Sequence, residues 1–143
     1  DVLEQAKMTR VLRTQIDVVL DEGAGVLNAD IAPVAELAEL CDGEVILYST
    51  GADEAALAAI AAHRGSAGHG NDGGRAVLVQ GEQVVLASGG QQRVLGPLAG
   101  LRPAGGFTPD TSALLAAIAT AWALDITPDL IAAGIKTFDY QPA

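Results

Sequence analysis

The stretch GVLNADIAPVAELAELCDGEVILYS, residues 25–49, decides the fold class of this 143-residue chain. It begins and ends with apolar runs, 25–30 and 44–49, whose length and composition are typical of buried strands. Between the runs, Pro33 suits the first turn of a helix, where a missing N–H costs no hydrogen bond. Four apolar residues then recur at helical spacing, namely Val34, Leu37, Ala38 and Cys41. The order of strand, helix and strand predicts parallel strands covered by helices.

Helical patterns flank this stretch on both sides. Residues 2–20 combine apolar and basic side chains in a pattern that predicts a helix, and residues 53–63 predict a second, alanine-rich helix. A polar, glycine-rich segment follows at 63–74, with two histidines six residues apart and an aspartate. So many glycines give metal ligands no rigid frame, and we therefore favour an exposed flexible insertion over a metal site.

The pattern changes in the second half of the chain, where short apolar runs follow one another closely. The runs 75–80 and 83–87 flank Gly81-Glu82, which predicts a hairpin with a two-residue turn. Residues 91–95 supply a candidate third strand, and 97–106 a loop. The pattern thus predicts a switch from parallel units to an antiparallel meander.

Two helices are predicted to close the chain. The first follows the N-cap residues of 108–112, and its inward side chains are Leu114, Leu115, Ile118 and Trp122. The second begins at Pro128 with Thr127 as its N-cap, and its inward residues are Leu130, Ile131, Gly134, Ile135 and Phe138. We interpret 1–63, 75–95 and 108–138 as the three parts of one domain, 1–143.

Composition excludes several classes of partner. The net charge is −10 with only eight basic residues, which form no cluster of the kind that binds nucleic acid or an anionic membrane. The longest apolar segment, 112–124, is shorter than a membrane-spanning helix. Cys41 is the single cysteine, so no internal disulfide forms, and a reducing compartment, the cytoplasm, is expected. No base near Cys41 in the sequence would activate it as a nucleophile.

One polar pair stands out as a candidate ligand site. The first strand ends in Asn28 and Asp30, and ligands of open α/β sheets bind at the carboxyl ends of strands. Asn28 can donate and accept hydrogen bonds, and Asp30 can accept one from a hydroxyl such as that of a ribose. The alternative is that both residues only cap the turn and the following helix. No Gly-Lys-Ser/Thr phosphate loop, dinucleotide fingerprint, nucleophile elbow or zinc motif is present in the sequence.

Three groups of segments resemble the Mur-ligase-like, carboxyl-terminal half of cyanophycin synthetases. They are 13–20 with 25–30 and 38–46, then 73–79 with 84–87, and finally 115–124 with 131–138. Their order and spacing agree over most of the chain. The resemblance implies an α/β fold of the Mur-ligase central-domain type, with parallel strand–helix units, a small antiparallel sheet beside them and two closing helices.

The resemblance also implies an activity, that of an ATP-dependent amide ligase. Such enzymes use ATP and magnesium to convert a carboxylate into an acyl phosphate, and cyanophycin synthetases then join arginine to a poly-aspartate backbone. Only Asn28 and Asp30 carry over, as residues near the nucleotide. Because the family's phosphate loop and magnesium ligands have no counterpart here, we expect this chain to be a piece of a larger enzyme. Alone it should neither bind ATP nor catalyse; a homo-oligomer is left open.

Departures from the family pattern keep alternatives open. The family's Asp and Pro after Asn-Ala-Asp are replaced by Ile31 and Ala32, its asparagine near the adenine by Ala113, and its first-helix lysine by Leu12. A second hypothesis is therefore a non-catalytic relative, a scaffold or interaction module that has lost its nucleotide contacts. A third is an unrelated small-molecule binder with an apolar pocket at Asn28.

Overall fold

Five strands form one sheet in the computed structural model, which describes residues 1–66, 74–103 and 108–139. The strands are β1 (Ala24–Asn28), β2 (Glu44–Ser49), β3 (Arg75–Gln80), β4 (Gln83–Ser88) and β5 (Gln91–Pro97). They lie side by side in sequence order. The first three are parallel, and the last three form an antiparallel meander that shares β3. The chain is therefore an α/β protein with a mixed sheet.

The position of β3 differs from the expectation of a separate small antiparallel sheet. In β3, Ala76 pairs with Leu47 of β2 in the parallel sense, and Val77 pairs with Leu86 of β4 in the antiparallel sense. The meander thus continues the parallel strands in the same sheet. The physical reason is the connection 50–74, whose helix returns the chain across the sheet and lets β3 run alongside β2 before the hairpin reverses it.

Helices cover both faces of the sheet. They are α1 (Val2–Asp17), α2 (Ala32–Ala35), α3 (Glu54–Ser66), α4 (Thr111–Ala123) and α5 (Pro128–Thr137). The predicted helix after Pro33 is only one α-helical turn, which continues as a 3₁₀ turn over Glu36–Leu40. Ile31 occupies the N-cap of α2 and offers no side-chain acceptor to stabilise a longer helix. A second 3₁₀ turn, Leu98–Gly100, interrupts the loop predicted at 97–106.

Two apolar cores result, one on each face of the sheet. The first lies under α1, α2 and α3 and is built around Leu27, Leu47 and Ile60. The second lies under α4 and α5 and is built around Ile46, Leu115 and Ile118. Within the described residues no helix is both long enough and apolar enough to cross a membrane. The glycine-rich segment and part of the 97–106 loop include residues 67–73 and 104–107, which lie outside the described residues.

The closing helices are less buried than the sequence predicted. Trp122, expected as a core anchor, is half-buried at the margin of the second core. On α5 only Ile131 is fully buried, whereas Leu130 and Phe138 are 64% and 50% exposed. The reason is position: α5 packs on β5 and α4 at one side of the sheet, and this packing buries Ile131 but leaves Leu130 and Phe138 largely accessible.

Candidate functional site

The carboxyl ends of β1, β2 and β3 meet at one edge of the sheet because these strands are parallel. This is the edge at which open α/β sheets bind ligands. The polar side chains here include Asn28 at the end of β1 and Asp30 after it, and Ser49 at the end of β2 and Thr50 after it; Gln80 ends β3 and is exposed. β1 and β3 are two strand positions apart, about 10 Å.

Asn28 ends β1 and organises the turn that follows. Its Oδ1 accepts a hydrogen bond of 2.9 Å from the backbone N–H of Asp30. It pairs in register with Tyr48, and the alternation of the strand places both side chains on the face that α4 covers, beside Val26. No described residue accepts a hydrogen bond from the amide nitrogen of Asn28. That N–H group is therefore a donor that a ligand at the edge can use.

Asp30 connects the ends of the first two strands. Its Oδ1 accepts from the Ser49 hydroxyl at 2.6 Å, and its Oδ2 accepts from the Thr50 backbone N–H at 2.9 Å and the Thr50 hydroxyl at 3.0 Å. Burial raises the pKa of Asp30, but the hydrogen bonds from Ser49 and Thr50 outweigh burial and lower it overall. The carboxylate is therefore anionic near neutral pH, and most of its acceptor capacity is engaged within the protein.

Tyr48 lies near this carboxylate, whose negative charge affects the pKa of the Tyr48 phenol. Burial raises the pKa of the Tyr48 phenol, and the negative charge of Asp30 raises it further. Tyr48 therefore stays neutral at physiological pH. A neutral phenol with an aromatic ring, adjacent to the Asn28 amide, suits a neutral heterocycle better than an anion.

The loop after β2 is held rigidly. Ser49 is fully buried, and its Oγ accepts from the Gly51 backbone N–H at 3.0 Å while donating to Asp30. Gly51 has a φ of +85°, and a Cβ at this position would lie 2.3 Å from the Val79 carbonyl oxygen of β3. Only glycine fits there. The three strand ends are thus connected by side-chain bonds and by a close backbone approach.

Two clefts flank this edge and differ in charge. The first, about 450 Å³, lies between the β3–β4 turn and the amino terminus of α4, and its described lining holds one cation, Arg102, and one carboxylate, Glu82. A helix amino terminus beside an arginine suits an anionic group. The second, about 500 Å³, lies between α2 and α3, with an alanine floor and the carboxylates of Asp30, Glu36, Glu39 and Asp53 around it. Anions are disfavoured in the second cleft.

The described residues do not fit a magnesium site. Across 1–66, 74–103 and 108–139, no three or more His, Cys, Asp or Glu side chains are grouped so that they could hold a metal ion. The oxygens of Asp30 are engaged by hydroxyl and N–H donors of Ser49 and Thr50. No step involving magnesium is therefore assigned to these residues.

The sequence located part of this site. Asn28 and Asp30 lie at the carboxyl edge of the parallel strands, and their use as ligand contacts stays a prediction. Asn28 also caps its own turn, as the alternative held. Asp30, however, contacts the end of β2 and not the helix after it. Ser49 and Thr50 were missed, although a polar Ser-Thr-Gly tip after an apolar strand repeats the signal of Asn-Ala-Asp. Ala113, at the position where the family has asparagine, lines an apolar groove between α4 and α5.

None of the three clefts described above includes Asn28. The cleft that contains Asp30 is surrounded by carboxylates. These clefts therefore give no support to the hypothesis of an apolar pocket at Asn28. Comparison of the sequence with models of protein families found no match, and comparison with curated proteins found none either.

Proposed function

We propose that this chain contributes the nucleoside side of the ATP site in an ATP-dependent amide ligase of the Mur type, similar to cyanophycin synthetase. The observation that carries the proposal is the placement of the Asn28 amide at the carboxyl edge of three parallel strands, next to Tyr48. Asn28 offers a donor to the nucleoside, and Tyr48 offers a neutral aromatic face. The resembling segments supply the reaction class.

Within this proposal Asp30 is a positioning residue. Its three hydrogen bonds hold the ends of β1 and β2 at a constant separation, which keeps Asn28 and Tyr48 in register. Arg102 and the amino terminus of α4 would attract an anionic part of the ligand to the first cleft, against the opposing charge of Glu82 in the same lining. The ligase reaction transfers the γ-phosphoryl group of ATP to a carboxylate, and an amine then displaces phosphate from the acyl phosphate. The amine would come from arginine and the carboxylate from a poly-aspartate side chain.

The test is an ADP-release assay on the product of the whole reading frame that encodes this chain. We expect ADP release that requires both arginine and a poly-aspartate acceptor. Asn28→Ala should raise the KM for ATP about tenfold and change kcat less, since it removes a ground-state contact. Gln15→Ala is the matched control, because it also removes a side-chain amide, but from an exposed position on α1, and it should leave the KM unchanged. No ADP release with any acceptor would contradict the proposal.

A calorimetric titration of the 143-residue chain with Mg-ATP separates the parts of the proposal. Because the sequence has no phosphate loop, we expect no saturable binding. Saturable binding that Asn28→Ala abolishes would show that the strand edge holds the nucleotide unaided, contrary to this expectation. Saturable binding that Asn28→Ala leaves unchanged would place the nucleotide elsewhere and contradict the role of Asn28.

A second candidate function is a non-catalytic scaffold of the same fold. The observation that favours it is the engagement of Asp30 by Ser49 and Thr50, which leaves little of the carboxylate for a ribose. Ile31 and Ala113, in place of the polar residues of the family, favour it as well. A whole-frame product that is folded but binds no nucleotide would support the scaffold.

A further inference from the structure

We draw no further inference here: the strongest candidate, the apolar groove of about 530 Å³ between α4 and α5 beside the exposed side chains of Leu130 and Phe138, carries none because nothing in the part of the chain that the structure describes shows what covers it.

Discussion

Asp30 is the residue whose charge matters most to the candidate site, and its contribution should depend on pH. Asp30→Asn places an amide N–H₂ group against hydroxyl and N–H donors and should cost about 2–3 kcal/mol of the free energy of unfolding at pH 7. Because folding lowers the pKa of Asp30, its stabilisation is complete above the unfolded value of about 3.9 and is lost as the pH falls through the folded value.

Urea unfolding at pH 7 and below pH 4 measures this dependence. The difference between wild type and Asp30→Asn should be largest at pH 7 and should shrink in the acidic series. Asp21→Asn, which removes an exposed carboxylate in a turn, is the control and should change stability little. An Asp30→Asn deficit that is the same at every pH would mean that packing, and not the charge, is what Asp30 supplies.

Arg75 joins three elements at the opposite edge of the sheet. Its guanidinium donates two hydrogen bonds to the Glu44 carboxylate and one of 2.9 Å to the Trp122 carbonyl, and it lies 4.8 Å from the centroid of the Trp122 ring. Arg75→Lys cannot reproduce the planar two-point contact and should destabilise the fold by about 1–2 kcal/mol. Fluorescence of Trp122, the single tryptophan, reports the unfolding.

Arg93→Lys is the matched control for Arg75→Lys. Arg93 pairs with Asp129 through side chains that are 55% and 87% exposed, and exposed pairs of this kind contribute under about 1 kcal/mol. Equal losses for the two substitutions would contradict the role assigned to Arg75, which is 16% exposed.

At the scale of elements, the turn of the β3–β4 hairpin holds Glu82 in an unfavourable backbone conformation that a substitution can relieve. Its two turn residues both have positive φ, +54° at Gly81 and +65° at Glu82, and this is the geometry of a type I′ turn. Glutamate is unfavourable in that region, whereas asparagine tolerates it. Glu82→Asn should therefore stabilise the protein by about 0.5–1 kcal/mol, measured by thermal unfolding.

Gln83→Asn provides the comparison for the turn. Gln83 is the first residue of β4 and is exposed, and asparagine is a poor strand residue, so this substitution should not stabilise. The prediction fails if Glu82→Asn lowers the melting temperature, which would assign a stabilising contact to the Glu82 side chain itself.

At the scale of the whole molecule, the sheet joins the two cores into one cooperative unit. Leu47 faces the first core and Leu115 the second, and their exposures are 1% and 0%. Leu47→Ala and Leu115→Ala should each cost about 2–5 kcal/mol. Both variants should unfold in a single transition at a lower urea midpoint, because neither face is stable without the sheet.

A partial transition in one variant would be the contrary result, since it would show that one face unfolds separately. Leu130→Ala is the control, because its side chain is 64% exposed and its truncation removes little buried surface from one chain.

The sequence by itself determined the local features of this protein. The strand runs at 44–49 and 75–80, the Gly81-Glu82 turn, and Thr127 as the N-cap of α5 are all confirmed, because periodicity, turn chemistry and capping act over a few residues. The polar tip at Asn28 and Asp30 was predictable for the same reason. Its use as a nucleotide contact stays a prediction.

Only the tertiary structure decided which distant groups meet. Asp30 and Ser49 are 19 residues apart, and Arg75 and Trp122 are 47 apart, so no local pattern connects them. The parallel pairing of β3 with β2 and the exposure of Leu130 and Phe138 depend likewise on how elements pack. Burial of its apolar face stabilises a helix or a strand. Which other helices and strands that face meets is determined by the packing of the whole sheet.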